Sequence, residues 1–289
     1  MICTTRFSGV AAVAAIACST AAPQSASAPA GVVPVDAAAC TRAPAPAPQG
    51  AQAFRSLAAA IVDPGGDAVP DAPITVCGFD ACLTGKVDAK GSATVTNATG
   101  TLLTRPAFKI GDGLTIAELA YPLGDRADFD FGTTVAIPLP DFAEGVPLAA
   151  GASATMAGVT LTIAPGAAVG FDPLLYAPDQ RGLRVAPIPL DPPPLAIDPG
   201  QNIALAYALT PQGTTFCPAA SLDLPNRPGW PAGTEVEILV HGIDLEQRWA
   251  PYAGWAVVSP GRVSGDAQRI VTAPGAGVPV LGAIGIRRK

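Results

Sequence analysis

The residues able to do chemistry are few and unevenly placed. The chain of 289 residues holds one histidine, His241, and six cysteines. Hydrolysis by a Ser/His/Asp set needs a base, and His241 is the single imidazole available for it. It ends the run Val236 to Val240 and precedes Gly242, a strand-end position that reads as structural, so no catalytic residue is assigned. Cys40, Cys77, Cys82 and Cys217 form an even set beyond the N-terminal segment. Such a set in an exported chain points to disulfides, with three possible connectivities. Cys77 and Cys82 are close enough for a hairpin bridge, which by elimination would pair Cys40 with Cys217. The alternatives are free buried thiols, or zinc on the Cys77-x4-Cys82 pair with both remaining cysteines.

Carboxylates raise calcium as the other ion. Asp125, Asp128 and Asp130 form one cluster, and Asp63, Asp67 and Asp71 another. Both place oxygens on loop segments, as calcium prefers, but neither has the twelve-residue loop spacing. Asp is a common turn former, so these remain weak candidates; no metal and no cofactor is expected. No motif selects two carboxylates for glycoside chemistry. All three tryptophans, Trp230, Trp249 and Trp255, lie within 26 residues, with Tyr252 between the last two. Such rings can stack on sugars or anchor a protein partner. The plainer reading is that they fill the core, which a chain with only 6 % aromatics needs them to do. The Gly275-Ala276-Gly277-Val278 stretch lacks the Lys-Ser/Thr of a phosphate loop, and the Asn97-Ala98-Thr99 sequon reads as incidental.

The elements that must position these residues read as strands. The chain carries 31 glycines and 32 prolines, with 14 % charged residues. That leaves little room for helices of average length and rules out a coiled coil. From Phe54 onward, runs of four to seven β-formers alternate between turn signals. Ile74 to Val76, Ala93 to Thr96, Val159 to Ile163 and Val236 to Val240 are the clearest. Asp63-Pro64-Gly65-Gly66, Lys90-Gly91, Gly111-Asp112-Gly113, Pro199-Gly200 and Pro274-Gly275 punctuate them. Ser56 to Val62 can be written as a helix or as a first strand; the surrounding pattern favours all-β. The expected architecture is two β-sandwich modules, over 54–150 and 151–289.

The first residues read as an address. Arg6 precedes a short apolar core from Val10 to Ala17, the pattern of an export signal over 1–17, too short to span a bilayer. Ala15-Ile16-Ala17-Cys18 resembles a bacterial lipobox, in which Cys18 is lipidated and becomes the N-terminus; Ala15 departs from the usual Leu or Val. Ordinary cleavage near Ala21 is the competing reading, leaving a periplasmic or secreted protein. Residues 18–53, rich in Ala, Pro and Ser with the repeat APAPAP from Ala43 to Pro48, read as an extended tether. Ser19 after the cysteine points to the outer membrane or cell surface.

Two resemblances follow from motifs. Val62-Asp63, Gly66, Val69, Ala72, Ile74, Val76, Val87-Asp88-Ala89 and Gly91 resemble the strand, turn and hairpin pattern of the carboxypeptidase regulatory-like family over about 54–150. Its members are transthyretin-like β-sandwiches; Lys86 departs from their usual Thr. Gly158 to Ala167, Ala208 to Phe216, Pro218 and Leu222 to Pro225 are similar to the β domain shared by ankyrins, netrin receptors and zonula occludens proteins, over about 155–240. Ala164, the Ala219-Ala220 pair and the insert Pro187 to Pro199 depart from that pattern. These resemblances imply a non-enzymatic protein. The self-cleaving His-Phe-Ser site of some relatives is absent, since the histidine here stands in His241-Gly242-Ile243.

The resulting expectation is a lipid-anchored bacterial surface protein with a structural, adhesive or binding role, its partners the membrane and an envelope protein or glycan. A glycan- or calcium-dependent binder and an accessory module of a secreted hydrolase are the alternatives. The net charge of −6, with no basic run beyond Arg287-Arg288-Lys289, argues against nucleic acid.

Overall fold

Alternation of small or β-branched side chains with polar ones sets the first half of the molecule. In Ser92–Thr96, Ala93 and Val95 turn inward while Ser92, Thr94 and Thr96 face water, the two-residue period of a strand with one wet face. The computed structural model describes Cys40, residues 42–46 and residues 48–289. The expected export signal over 1–17 and the Cys18 lipidation site lie outside the described residues.

Residues 56–135 build two four-stranded sheets. One runs in the order Asp128–Val135, Ser56–Val62, Ser92–Thr96, Lys86–Val87, and the other Cys82–Thr84, Ile74–Cys77, Ala107–Ile110, Leu119–Pro122. Ser56–Val62 is therefore a strand and not a helix, paired antiparallel to Ser92–Thr96 and parallel to Asp128–Val135. Leu57, Ile61 and Val95 from one sheet share a core with Ile74, Val76 and Phe108 from the other. Gly91 closes its hairpin at φ +79°, a left-handed conformation that suits glycine. Cys77 and Cys82 face each other across the Ile74–Cys77 and Cys82–Thr84 pair and are joined by a disulfide.

Residues 146–288 form one twelve-stranded antiparallel sheet. Its path runs from Val146–Pro147 through Gly182–Pro187, Leu205–Thr210, Ala283–Arg288, Glu235–His241, Trp255–Val263, Arg269–Thr272, Thr215–Pro225 and Val159–Thr162 to Ser153–Met156. The two end strands, neighbours in sequence, come together again, so the sheet curls into a nearly closed barrel. In place of the two facing sheets expected for a second sandwich, one sheet wraps around its own core. The eleven-residue strand Thr215–Pro225 makes this possible by changing partners along its length. Its first half pairs with Ala168–Gly170 and Val278–Val280, its second with Val159–Thr162 and Arg269–Thr272. Gly277 sits at the changeover, where a Cβ would come within 2.5 Å of the Ala220 carbonyl.

The two regions share an apolar layer. Ala117, Leu119, Val135 and Ile137 of the first pack on Ala186, Ile188, Ala196, Ile197, Ala206, Ala208 and Ala283 of the second. Alanine thus does specific work here, because short side chains let sheet backbones approach closely. All described residues fall in one compact unit, so the expected modules are not separate bodies.

The last part of the expected tether is also docked. Cys40 is bonded to Cys217, and the Ala45 N–H donates to the Glu246 carbonyl at 2.9 Å. Ala51–Gln52 then pairs with Leu103–Thr104, and Gln52 Nε2 donates to the Leu123 and Gly124 carbonyls. Cys40, Ala45, Ala51 and Gln52 thereby strap the second region to the first. A Pro-rich segment has no core of its own to bury, but its backbone groups still bond to sheet edges and loops.

Candidate functional site

The four rings read as core, or as a possible ligand platform, belong to separate places. Trp230 lies in the core of the long sheet, and Trp249 packs against the same core. The Asn226 side chain receives the Trp230 N–H and donates to its carbonyl. Tyr252 is buried beneath the Cys77 hairpin, its ring edge-on to Phe79 at 5.3 Å and its hydroxyl donating to the Cys77 carbonyl at 3.1 Å. Trp255 packs on the apolar layer between the regions and donates from Nε1 to the Ala196 carbonyl at 2.7 Å. The chain neighbourhood of these rings did not translate into one exposed face: Trp230 lies on the loop after Thr215–Pro225, Trp249 and Tyr252 lie on the loop after Glu235–His241, and only Trp255 stands in a strand, beyond the turn at Pro251–Gly254. The reading of these rings as core residues describes Trp230 and Tyr252, with Trp249 and Trp255 half-buried against buried clusters.

Three of the six candidate aspartates are likewise occupied. Asp128 accepts from Arg55 and Ser56, and Asp130 accepts the Gly132 N–H. Asp63 accepts the N–H groups of Gly65 and Asp67, as aspartates at turns commonly do. Asp125 stands exposed on the loop before Asp128. Among the described residues no three His, Cys, Asp or Glu side chains come together to hold a metal ion. The Asn97 side chain is buried and bonded to the Phe54 and Thr101 carbonyls, which closes off the sequon.

What the fold does assemble is a polar seam where the two regions meet. At its centre is the loop Gly111 to Glu118, which the sequence marks as a turn. Asp112 holds it in shape by accepting the N–H groups of Leu114, Thr115 and Ile116. Burial works to raise the Asp112 pKa, but these three donors prevail and lower it. Gly113 adopts φ +72°, and a Cβ there would sit 2.9 Å from Gln212 Oε1 and 3.3 Å from the Tyr176 hydroxyl; glycine is required on both counts.

The second region supplies the side chains that grip this loop. Tyr176 receives the Gln212 N–H at 2.9 Å and donates to the Gly113 carbonyl at 3.3 Å. Burial pushes its phenol up to about 12. Gln212 donates from Nε2 to the Glu118 carbonyl and accepts the Glu118 N–H. The Glu118 carboxylate in turn pairs with Lys109 on the adjacent strand.

Arg184 is 1 % exposed. Its Nη1 donates to the Leu114 and Pro140 carbonyls at 2.7 and 3.0 Å, and its guanidinium lies 4.0 Å from the centre of the Phe142 ring. Burial lowers its pKa, while Tyr176, Asp112 and Asp141 act in the opposite sense. The buried Nε and Nη2 have no hydrogen-bond partner among the described residues.

No family model, curated protein or solved structure matches the chain.

His241 completes the seam. Its Nε2 accepts the Ala120 N–H at 3.0 Å, and its ring lies 4.9 Å from that of Trp255. With Nε2 accepting, the neutral ring carries its proton on Nδ1. Full burial pushes the imidazole down to about 4, and Lys109 acts in the same direction. A base needs a lone pair turned to substrate, and this one is turned to the backbone of the neighbouring region.

Tyr176, Arg184 and Gln212 were not singled out from the sequence, nor were Lys109 and Glu118. A signal existed: each charge interrupts an apolar run, as in Leu183-Arg184-Val185 and Phe108-Lys109-Ile110. In a chain so poor in charge, a charged residue at an inward-facing strand position marks a buried polar contact.

Proposed function

We propose that the chain is an exported bacterial surface lipoprotein, anchored through Cys18 and acting at the envelope as a structural, adhesive or binding module without catalysis. The observation that carries this reading is the use of cysteine. All four described cysteines are paired, Cys40 with Cys217 and Cys77 with Cys82, and such bonds persist in oxidising compartments outside the cytosol. An export signal and a cysteine after small residues, read from the sequence, agree with that location. The reading of the single histidine as structural is supported by its Nε2 contact with Ala120. In this account the first region is the carboxypeptidase regulatory-like, transthyretin-like module, favoured by its paired four-stranded sheets and the Gly91 hairpin. The second is the ankyrin, netrin-receptor and zonula-occludens type module, with its sheet curled further than that likeness implies. The strap and seam make the two a single stiff unit, which suits presentation of a surface more than a reaction cycle.

Metabolic labelling with palmitate, with and without globomycin, tests the anchor. Label on the wild-type chain that is lost in Cys18→Ser, with mass spectrometry placing the mature N-terminus at Cys18, is the expected outcome. An unlabelled wild-type chain sinks the lipoprotein reading. A glycan array probed with the full chain tests the binding role.

A further inference from the structure

Leu174 and Leu175 stand out from every other apolar pair of the surface. Leu174 is 93 % exposed and Leu175 53 %, adjacent on a loop and unaccompanied by a covering element. Single exposed leucines are ordinary, but exposed neighbours at a loop tip are a contact surface in want of an apolar partner. The loop is built to hold them out. Asp172 Oδ1 accepts the Leu174 N–H, and the Asp172 carbonyl accepts the Tyr176 N–H. Tyr176 then buries its ring and bonds to Gln212 and Gly113. On the far side, Arg181 Nε donates to the Tyr176 carbonyl, and its guanidinium lies 5.4 Å from the centre of the Phe171 ring.

The place of this loop in the fold says what meets it. It follows directly on the strand Ala168–Gly170, whose partner is Thr215–Cys217, with Ala168 opposite Cys217. Cys217 carries the disulfide to Cys40. The N-terminal segment therefore joins the fold on the edge from which the leucine loop projects, and not on the first region that comes next in sequence. The 22 residues from Cys18 to Cys40 reach at most about 75 Å. A lipid on Cys18 would keep the bilayer within that distance of this edge of the second region.

We propose that the Phe171 to Leu175 loop is a second membrane contact, its two leucines inserting among the lipids to which the N-terminal anchor holds the chain. The inference rests on the lipid-anchor reading. Two leucines alone bind a bilayer weakly, but after anchoring the local concentration of lipid is high and a weak contact suffices to orient the protein. The occupant is lipid and not a protein partner, because the tether keeps the bilayer within reach of this loop and its point of attachment, Cys217, pairs with the strand the loop follows.

The test uses the mature, acylated chain in vesicles of phosphatidylethanolamine and phosphatidylglycerol. Its Cys18 sulfur is then blocked by the lipid and the other cysteines are in disulfides. Leu174→Cys thus offers one thiol for an environment-sensitive fluorophore, and Leu102→Cys, at an exposed leucine of the first region, is the comparison. Lipids carrying a spin label high on the acyl chain should quench the probe at position 174 several-fold more than the probe at 102, with a blue-shifted emission. Equal quenching at both positions, or none at 174, on a chain shown by mass spectrometry to be acylated overturns the loop proposal alone. A chain with no acyl group on Cys18 overturns the anchor and this proposal together.

Discussion

The two regions contribute to their seam in largely opposite ways, the exception being Thr134 Oγ1 of the first, which accepts the Leu195 N–H of the second at 3.4 Å. The first offers backbone: the carbonyls of Cys77, Gly113, Leu114 and Glu118, and the N–H groups of Glu118 and Ala120. The second offers side chains: Tyr176, Arg184, Gln212, His241 and Tyr252. The difference follows from how each sheet ends. The first region is two short sheets with open edges, and Leu119–Pro122 is one of them. Unpaired strand groups at such an edge must find partners or water. The second curls towards closure, so its own backbone is largely paired within the sheet and it has polar side chains to spare. Buried backbone groups of one partner are thus satisfied by buried side chains of the other. The arrangement also predicts where substitutions matter, since a side chain can be removed and a main-chain carbonyl cannot.

The strap should show the largest effect. The Cys40–Cys217 bond spans 177 residues of chain and Cys77–Cys82 only five. Loop-closure entropy assigns about 5 kcal/mol to the first and about 2 kcal/mol to the second. Denaturant unfolding of the Cys40→Ser/Cys217→Ser and Cys77→Ser/Cys82→Ser proteins should preserve that order. A larger loss from the hairpin pair would mean that the strap does not restrain the unfolded chain. Next comes Arg184→Ala, expected to cost about 3 kcal/mol because it leaves the Leu114 and Pro140 carbonyls without their donor and opens space beside Phe142. Removing the exposed guanidinium at Arg126, on the first region, loses only its contact with the Phe129 ring at 4.9 Å and should cost no more than about 1 kcal/mol. Comparable losses at both positions would erase the asymmetry of the seam.

These contacts also show what a sequence of this kind discloses. Strand alternation in Ser92–Thr96 and Val159–Thr162, and turns such as Lys90-Gly91, are local, so the all-β class and the cysteine pairs were legible. The seam is not local. Gly111-Asp112-Gly113 reads correctly as a turn, but nothing within it says that Tyr176, 63 residues on, closes over it. The separate placement of the tryptophans was hidden for the same reason. Nearness along the chain left a shared platform open beside the core reading, while the loop before Trp255 and its turn at Pro251–Gly254 place the rings against different neighbours. The closure of the second sheet was also hidden, since it depends on Thr215–Pro225 exchanging partners halfway, and each half alone looks like an ordinary strand.

His241 gives the comparison a pH axis. Its folded value of about 4 lies below the 6.5 of an unfolded imidazole. Between those values the unfolded chain binds the extra proton, so stability is full above pH 6.5 and falls as pH drops towards 4. At pH 5 the loss should be about 2 kcal/mol. Protonation would also turn Nε2 into a donor facing the Ala120 N–H, so the seam should weaken before either core does. Thermal unfolding at pH 7 and pH 5 should show this fall in the wild type and a shallower one in His241→Gln, whose carbonyl can still accept from Ala120. An equal fall in both would move the acid sensitivity elsewhere.

The smallest effect belongs to Tyr252→Phe, and it separates the polar part of the seam from the apolar part. The substitution keeps the ring against Phe79 and removes only the hydroxyl that donates to the Cys77 carbonyl. A net loss of about 1 kcal/mol is expected, the size of one buried hydrogen bond, because the ring itself stays in place. Tyr252→Ala removes the ring as well and should cost about 3 kcal/mol or more. Cys77 pairs through the backbone with both Ala107 and Cys82, so its carbonyl is held still with or without its partner. Hydrogen exchange in Tyr252→Phe should therefore rise at the Pro251–Gly254 turn of the second region and stay unchanged in the Ile74–Cys77 strand of the first. Faster exchange in that strand would mean that the first region depends on the second for its own shape, and does not merely lend it backbone.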